Sequence, residues 1–120
     1  MFAIKAEPEN RLICLKFSGF ITMDIACQFE AEIQKQIELL RASGPWFDLL
    51  VDLTEAQPVT QDVSDKNRKM MTRQIEMGLR KSANIVSSAL TAMQLRRTAG
   101  SDKFQTFTTE EAARAWLAET

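Results

Sequence analysis

Apolar and polar positions alternate over residues 11–18, with Ile13, Leu15 and Phe17 on one side and Leu12, Cys14 and Lys16 on the other. A period of two, with one apolar and one mixed face, predicts a half-buried strand. Phe2–Glu7 predicts a second strand, and the turn formers Pro8, Glu9 and Asn10 between the two predict an antiparallel hairpin. Gly19 breaks the run, and the period then lengthens. Ile25, Ala26, Phe29, Ile33, Ile37 and Leu40 recur at helical spacing. They predict a helix to about Arg41, with Thr22 as N-cap, Asp24 in the first turn and Gly44-Pro45 as its stop.

Residues 46–53 form a nearly continuous apolar run, interrupted at Asp48, which is the pattern of a strand covered on both faces. A loop over 54–61 contains Pro58. Asp62 is expected to cap a second helix that ends at Gly78, with Leu79 folding back after it. Residues 83–87 predict the next buried strand, and Ser88 caps a helix over 89–98 closed by Gly100. Phe104–Phe107 is a last short strand. Thr108 and Glu111 have capping-box spacing and open a helix expected to turn Ala112, Ala113, Trp116 and Leu117 inward. The order ββαβαβαβα predicts an α/β fold on a five-stranded, mixed, mainly parallel sheet with right-handed crossovers. Residues 49–53 and 83–87 should lie at its centre, bringing Asp52 and Ser87 to the ends of adjacent or nearby parallel strands. Residues 1–120 read as one domain, without repeats or a linker.

Composition narrows the function. The formal net charge is −1, so no global field recruits nucleic acid or an anionic membrane. The apolar runs are too short to span a bilayer, and no basic segment precedes a long apolar one at the N-terminus. A cytoplasmic location is the expectation. Cys14 and Cys27 lack C-x-x-C spacing and are expected as free, mostly buried thiols. Histidine is absent, which removes the commonest general base and transition-metal ligand. With neither a G-x-G-x-x-G motif nor a P-loop, no cofactor, metal or enzymatic activity is expected.

The element order and the segment from Asp52 to Asp62 (DLTEAQPVTQD) resemble the STAS domain superfamily. The opening hairpin, the strand end Val51-Asp52-Leu53 and the closing EEAARAWL are most similar to its stand-alone bacterial SpoIIAA-like members. The resemblance implies the fold above and a regulatory or binding role through protein contact. The superfamily's regulatory loop reads D-[FL]-[ST]-x-[VA]-x-x-[VIM]-D-S-S-G, and Asp52, Leu53, Thr54, Ala56 and Val59 follow it. Thr60, Gln61, Asp62 and Val63 stand where D-S-S-G belongs. Neither Gln61 nor Asp62 accepts a phosphoryl group, so the serine switch of the superfamily is not implied here.

Two groups of residues are candidates for function. Asp52, Thr54, Thr60, Asp62, Ser87 and Ser88 fall at carboxyl ends of strands, where open α/β sheets bind ligands. Free N–H groups at the start of the 89–98 helix would suit a small anionic ligand; alternatively, these side chains only cap helices and tie loops. The second group is the helix from Asp62 to Met77. At about 100° per residue, Val63, Met70 and Met77 lie on one line. Met71 and Ile75 lie well round from it, with Asn67 and Gln74 between. Lys66, Lys69 and Arg73 flank the line. So wide an arc suits a protein partner, a homodimer contact, or a lid over an apolar ligand; the alternative is core methionines under lysine stems. Residues 66–97 carry eight basic residues against one acidic, but no interleaved aromatic offers a stacking platform, so nucleic acid is disfavoured. The expectation is a non-catalytic module acting through protein contact, with a small apolar or anionic ligand. A small enzyme using strand-end carboxylates and hydroxyls, or a lipid-binding carrier by analogy with CRAL-TRIO folds, are the alternatives.

Overall fold

Arg11 turns the first hairpin. It adopts φ 52°, and its N–H closes the 3-10 turn Pro8–Asn10 on the Pro8 carbonyl at 3.1 Å. Strands β1 (Phe2–Glu7) and β2 (Leu12–Gly19) therefore pair antiparallel, with Ile4 opposite Leu15. The computed structural model describes residues 1–99 and 102–119. It continues with α1 (Met23–Ser43), β3 (Phe47–Ala56), α2 (Gln61–Glu76), β4 (Leu79–Ile85), α3 (Ala89–Ala99), β5 (Phe104–Phe107) and α4 (Glu110–Ala118). The five strands form one sheet in chain order, with β2 to β5 parallel. The expected class and element order hold, and β3 lies at the centre.

Helices α1, α2 and α3 cover one face. There Ile13, Leu15, Leu49 and Val51 meet Phe29, Ile33, Ile37 and Leu40 of α1 and Met70 of α2. Helix α4 covers part of the other, setting Ala113 and Leu117 on Leu12, Leu50, Ala83 and Ile85. No helix among the described residues is long and apolar enough to cross a membrane.

Several boundaries depart from expectation, for reasons lying in tertiary pairing. Strand β3 runs to Ala56 because Glu55 and Ala56 pair with Ser18 and Gly19 after a register shift in β2. Strand β4 starts at Leu79. Gly78, at φ 110°, reverses the chain at once after α2, and Leu79 is buried opposite Phe47. Its end is Ile85, which leaves Ser87 beyond the strand and exposed. The N-cap of α2 is Thr60; Asp62 sits inside the first turn. Thr109, which accepts the Ala112 N–H at 3.1 Å, caps α4 in place of Thr108. Ala112, expected to face inward, is exposed, while Ala113 and Leu117 are buried and Trp116 half-buried, as their i, i+3, i+4 spacing places them on one face. Cys14 is half-buried and Cys27 exposed, so the expected burial of both thiols fails. Gly100, expected to close α3, lies outside the described residues.

Candidate functional site

At the carboxyl ends of the strands, the candidate polar residues are engaged with one another. The Asp52 carboxylate accepts the Thr54 N–H at 2.9 Å and the Thr54 hydroxyl at 2.6 Å. The Ser87 hydroxyl donates to the Thr54 carbonyl at 3.0 Å, tying the end of β4 to β3. The Ser88 hydroxyl accepts the Thr91 N–H at 3.1 Å, as an N-cap does. The Thr60 hydroxyl donates to Asp62, whose carboxylate also accepts the Val63 N–H at 3.0 Å. The Thr60 bond and then the Val63 N–H hold the Asp62 carboxyl below its ordinary pKa. The sheet thus brings Asp52, Thr54, Ser87 and Ser88 into one neighbourhood, with Thr60 and Asp62 forming a separate local pair.

Helix α2 is the middle of three helices, in contact with α1 on one side and α3 on the other. That position explains its wide apolar arc, because an inner helix is covered on three sides. Val63 and Met70 are buried, and Met77 and Ile75 pack half-buried against the main core. Lys66 reaches back to Glu30 of α1 at 2.9 Å, while Lys69 and Arg73 are exposed. Met71, Asn67 and Gln74 take another direction, toward a cavity of about 140 Å³ between α2, α3 and the sheet.

The cavity is mainly apolar. Phe17, Phe29, Val51, Leu53, Met70 and Met71 supply much of its wall. Polar groups enter at two places. Ser82 and Asn84, alternate residues of β4, form one polar patch on the sheet, and Gln74 stands on α2. All three are buried. At the rim, the Gln94 side chain of α3 accepts the Val59 N–H at 3.4 Å and donates to the Val59 carbonyl at 3.1 Å. This pair of bonds straps the loop after β3 to α3.

Sequence reasoning singled out α2 but treated Gln74 as an interruption of its apolar arc, and it missed Ser82, Asn84 and Gln94. A polar residue within an apolar arc was the available signal for Gln74. Ser82 precedes the expected strand, and nothing local marks it or Asn84 as facing a cavity.

Two further clusters are structural. Asp48, which interrupts the apolar run, is 3% exposed. It accepts Arg80 through both oxygens, at 3.0 and 2.5 Å, and the Lys81 N–H at 3.1 Å. Arg80 also lies 4.4 Å from the Trp46 ring centroid. Glu7 accepts Arg114 at 2.9 Å, and Arg114, then Asn10 and Cys14, draw its carboxyl down to about 2. Burial first, and then the Glu7 carboxylate, push the Cys14 thiol up to about 11, so it stays protonated near neutrality. Of the basic residues between 66 and 97, Lys66, Arg80 and Lys81 are bound to acidic or carbonyl oxygens. Among the described residues, no three acidic or cysteine side chains gather as metal ligands.

A family model described as SpoIIAA-like matches residues 12–118. The chain also superposes on the crystal structure of an uncharacterized protein of the DUF3478 family from Shewanella loihica, which has a SpoIIAA-like fold. The TM-score is 0.74 and the identity 18%, over 98% of this chain and 93% of that one. At that identity the likeness is one of fold. No curated protein matches the chain.

Proposed function

Because the chain belongs to the SpoIIAA-like family, we propose that it is a non-catalytic regulatory or binding module whose ligand is a small, mainly apolar molecule held beneath α2. The observation that carries this is the cavity itself. Close-packed interiors leave few voids larger than a water, yet about 140 Å³ stands open beside the central strand. Apolar walls with a few convergent polar groups are the usual composition of a small-molecule site. Supporting a binding role, Cys14 is held as a thiol, and the Asp52 and Asp62 carboxylates are occupied by their own loops. An anionic ligand is less well served, because none of the described lining residues is charged and the first-turn N–H of Thr91 is already taken.

Native mass spectrometry of protein purified without added ligand tests this reading. The expected spectrum shows the chain plus a small adduct that organic solvent removes. A bare chain under the gentlest ionisation contradicts it.

Contact with a second copy of the chain is the other part of the proposal. Leu90 and Met93, 61% and 47% exposed, lie about one turn apart on α3, whose Thr91 and Gln94 border the cavity. Sedimentation should show a concentration-dependent dimer that Met93→Glu abolishes. A wild-type chain that stays monomeric at all concentrations overturns the contact.

A further inference from the structure

The polar groups inside the cavity carry the reading further. Gln74 is 6% exposed, and its side-chain amide has no hydrogen-bond partner among the described residues. Among the described residues, no fully enclosed polar side-chain atom lacks a partner. The Gln74 amide must therefore meet open space, and the space it lines is the cavity. A glutamine there is costly, since a methionine of similar length would fill the site without a buried amide to satisfy.

Asn84 shows the same economy on the sheet. Its Nδ2 donates to the Ser82 carbonyl at 3.0 Å and the Gln105 carbonyl at 3.3 Å, which leaves its carbonyl oxygen for the cavity. Donors and acceptors thus enter an otherwise apolar space from helix and sheet. None of the described lining residues is charged, so a charged group entering beside them would lose its hydration without gaining a counter-ion from them.

We propose that the cavity selects uncharged, mainly apolar molecules bearing one hydrogen-bonding group, and that Gln74 reads that group. This rests on the ligand-binding reading above and narrows it. The volume, about 140 Å³, is close to that of an engineered cavity of roughly 150 Å³ that admits benzene. One-ring molecules are therefore suitable probes.

The test uses p-cresol and p-xylene, nearly equal in size and differing by a hydroxyl for a methyl, with calorimetric titration of the wild type and of Gln74→Met. Each probe's cost of leaving water is the same for both proteins, so it cancels from the change in affinity ratio. Loss of one hydrogen bond should move the p-cresol to p-xylene ratio about tenfold toward p-xylene in Gln74→Met. Gln74→Leu serves should the methionine variant fail to fold.

An unchanged ratio overturns the proposal and leaves Gln74 holding only a water. Binding of 4-methylbenzoate as tight as that of p-cresol overturns the uncharged class. Failure of both neutral probes to bind the wild type defeats the ligand reading itself, a different outcome from an unchanged ratio.

Discussion

On the face of the sheet that carries α4, buried and half-buried charges are answered from within the protein. Asp48 is met by Arg80 and the Lys81 N–H, and Glu7 by Arg114 and Asn10. On the face beneath α2, Gln74 is also buried, its side-chain amide has no partner among the described residues, and about 140 Å³ stands beside it. Under the proposal above, the difference lies in what each face is for. A face that only needs to hold completes its hydrogen bonds, because an unmet buried polar group costs more than a made bond returns. A face that receives a ligand leaves some of them unmade.

This contrast is open to mutation. The largest effect should come from Asp48→Ala, which leaves the Arg80 guanidinium beside Trp46 with the Leu117 carbonyl but without its counter-ion. Breaking a buried pair by removing one partner costs about 3 kcal/mol, read as a lowered denaturation midpoint at unchanged slope. Gly78→Ala should cost about 2 kcal/mol. The residue sits at φ 110°, and a Cβ would lie 2.7 Å from the Pro45 carbonyl oxygen, a backbone atom with little room to yield.

Glu7→Gln should cost less, about 1 kcal/mol near neutral pH, since Arg114 is partly exposed and its pairing is screened. Its pH dependence is the sharper readout. The folded pKa of Glu7, about 2, lies below its ordinary 4.5. The stabilisation is therefore complete above pH 4.5 and disappears as pH falls toward 2. Wild type and Glu7→Gln should converge in stability across that window, and a constant gap would show that Glu7 acts through packing instead.

On the other face the sign reverses. Gln74→Met should raise stability, by up to about 1 kcal/mol, because it replaces an unmet amide with an apolar chain of similar volume. A loss of the size seen for Asp48→Ala would mean that Gln74 belongs to the supporting structure and that the two faces do not differ in kind.

Much of the fold was legible because local signals agreed with tertiary demands. The alternation in β2, the Thr22 cap, the long apolar face of α1 and the Gly78 stop each point the same way in sequence and in structure. Strand ends were less legible. Glu55 and Ala56 are in β3 only because Ser18 and Gly19 lie opposite, and Arg80 and Lys81 are strand residues because Asp48 and the end of α4 receive their charges. The site was half legible. The arc of α2 was visible and its width read as a need for a further partner, when burial between α1 and α3 accounts for it. Ser82 and Asn84 acquire meaning only once Gln74 stands across from them, a juxtaposition that sequence spacing does not encode.

The most direct test of the central claim, that the cavity beneath α2 is a ligand site, is a methyl spectrum of protein carrying 13C-labelled methionine methyls, recorded as p-cresol is added. The chain has six methionines, which places reporters both in the wall and at the surface. Met70 and Met71 line the cavity, whereas Met1 and Met93 are 77% and 47% exposed. Saturable shifts at Met70 and Met71, with Met1 and Met93 unmoved, are the predicted result. Shifts confined to Met93 or Met1, or none at Met70 and Met71 up to the solubility of the probe, would contradict it.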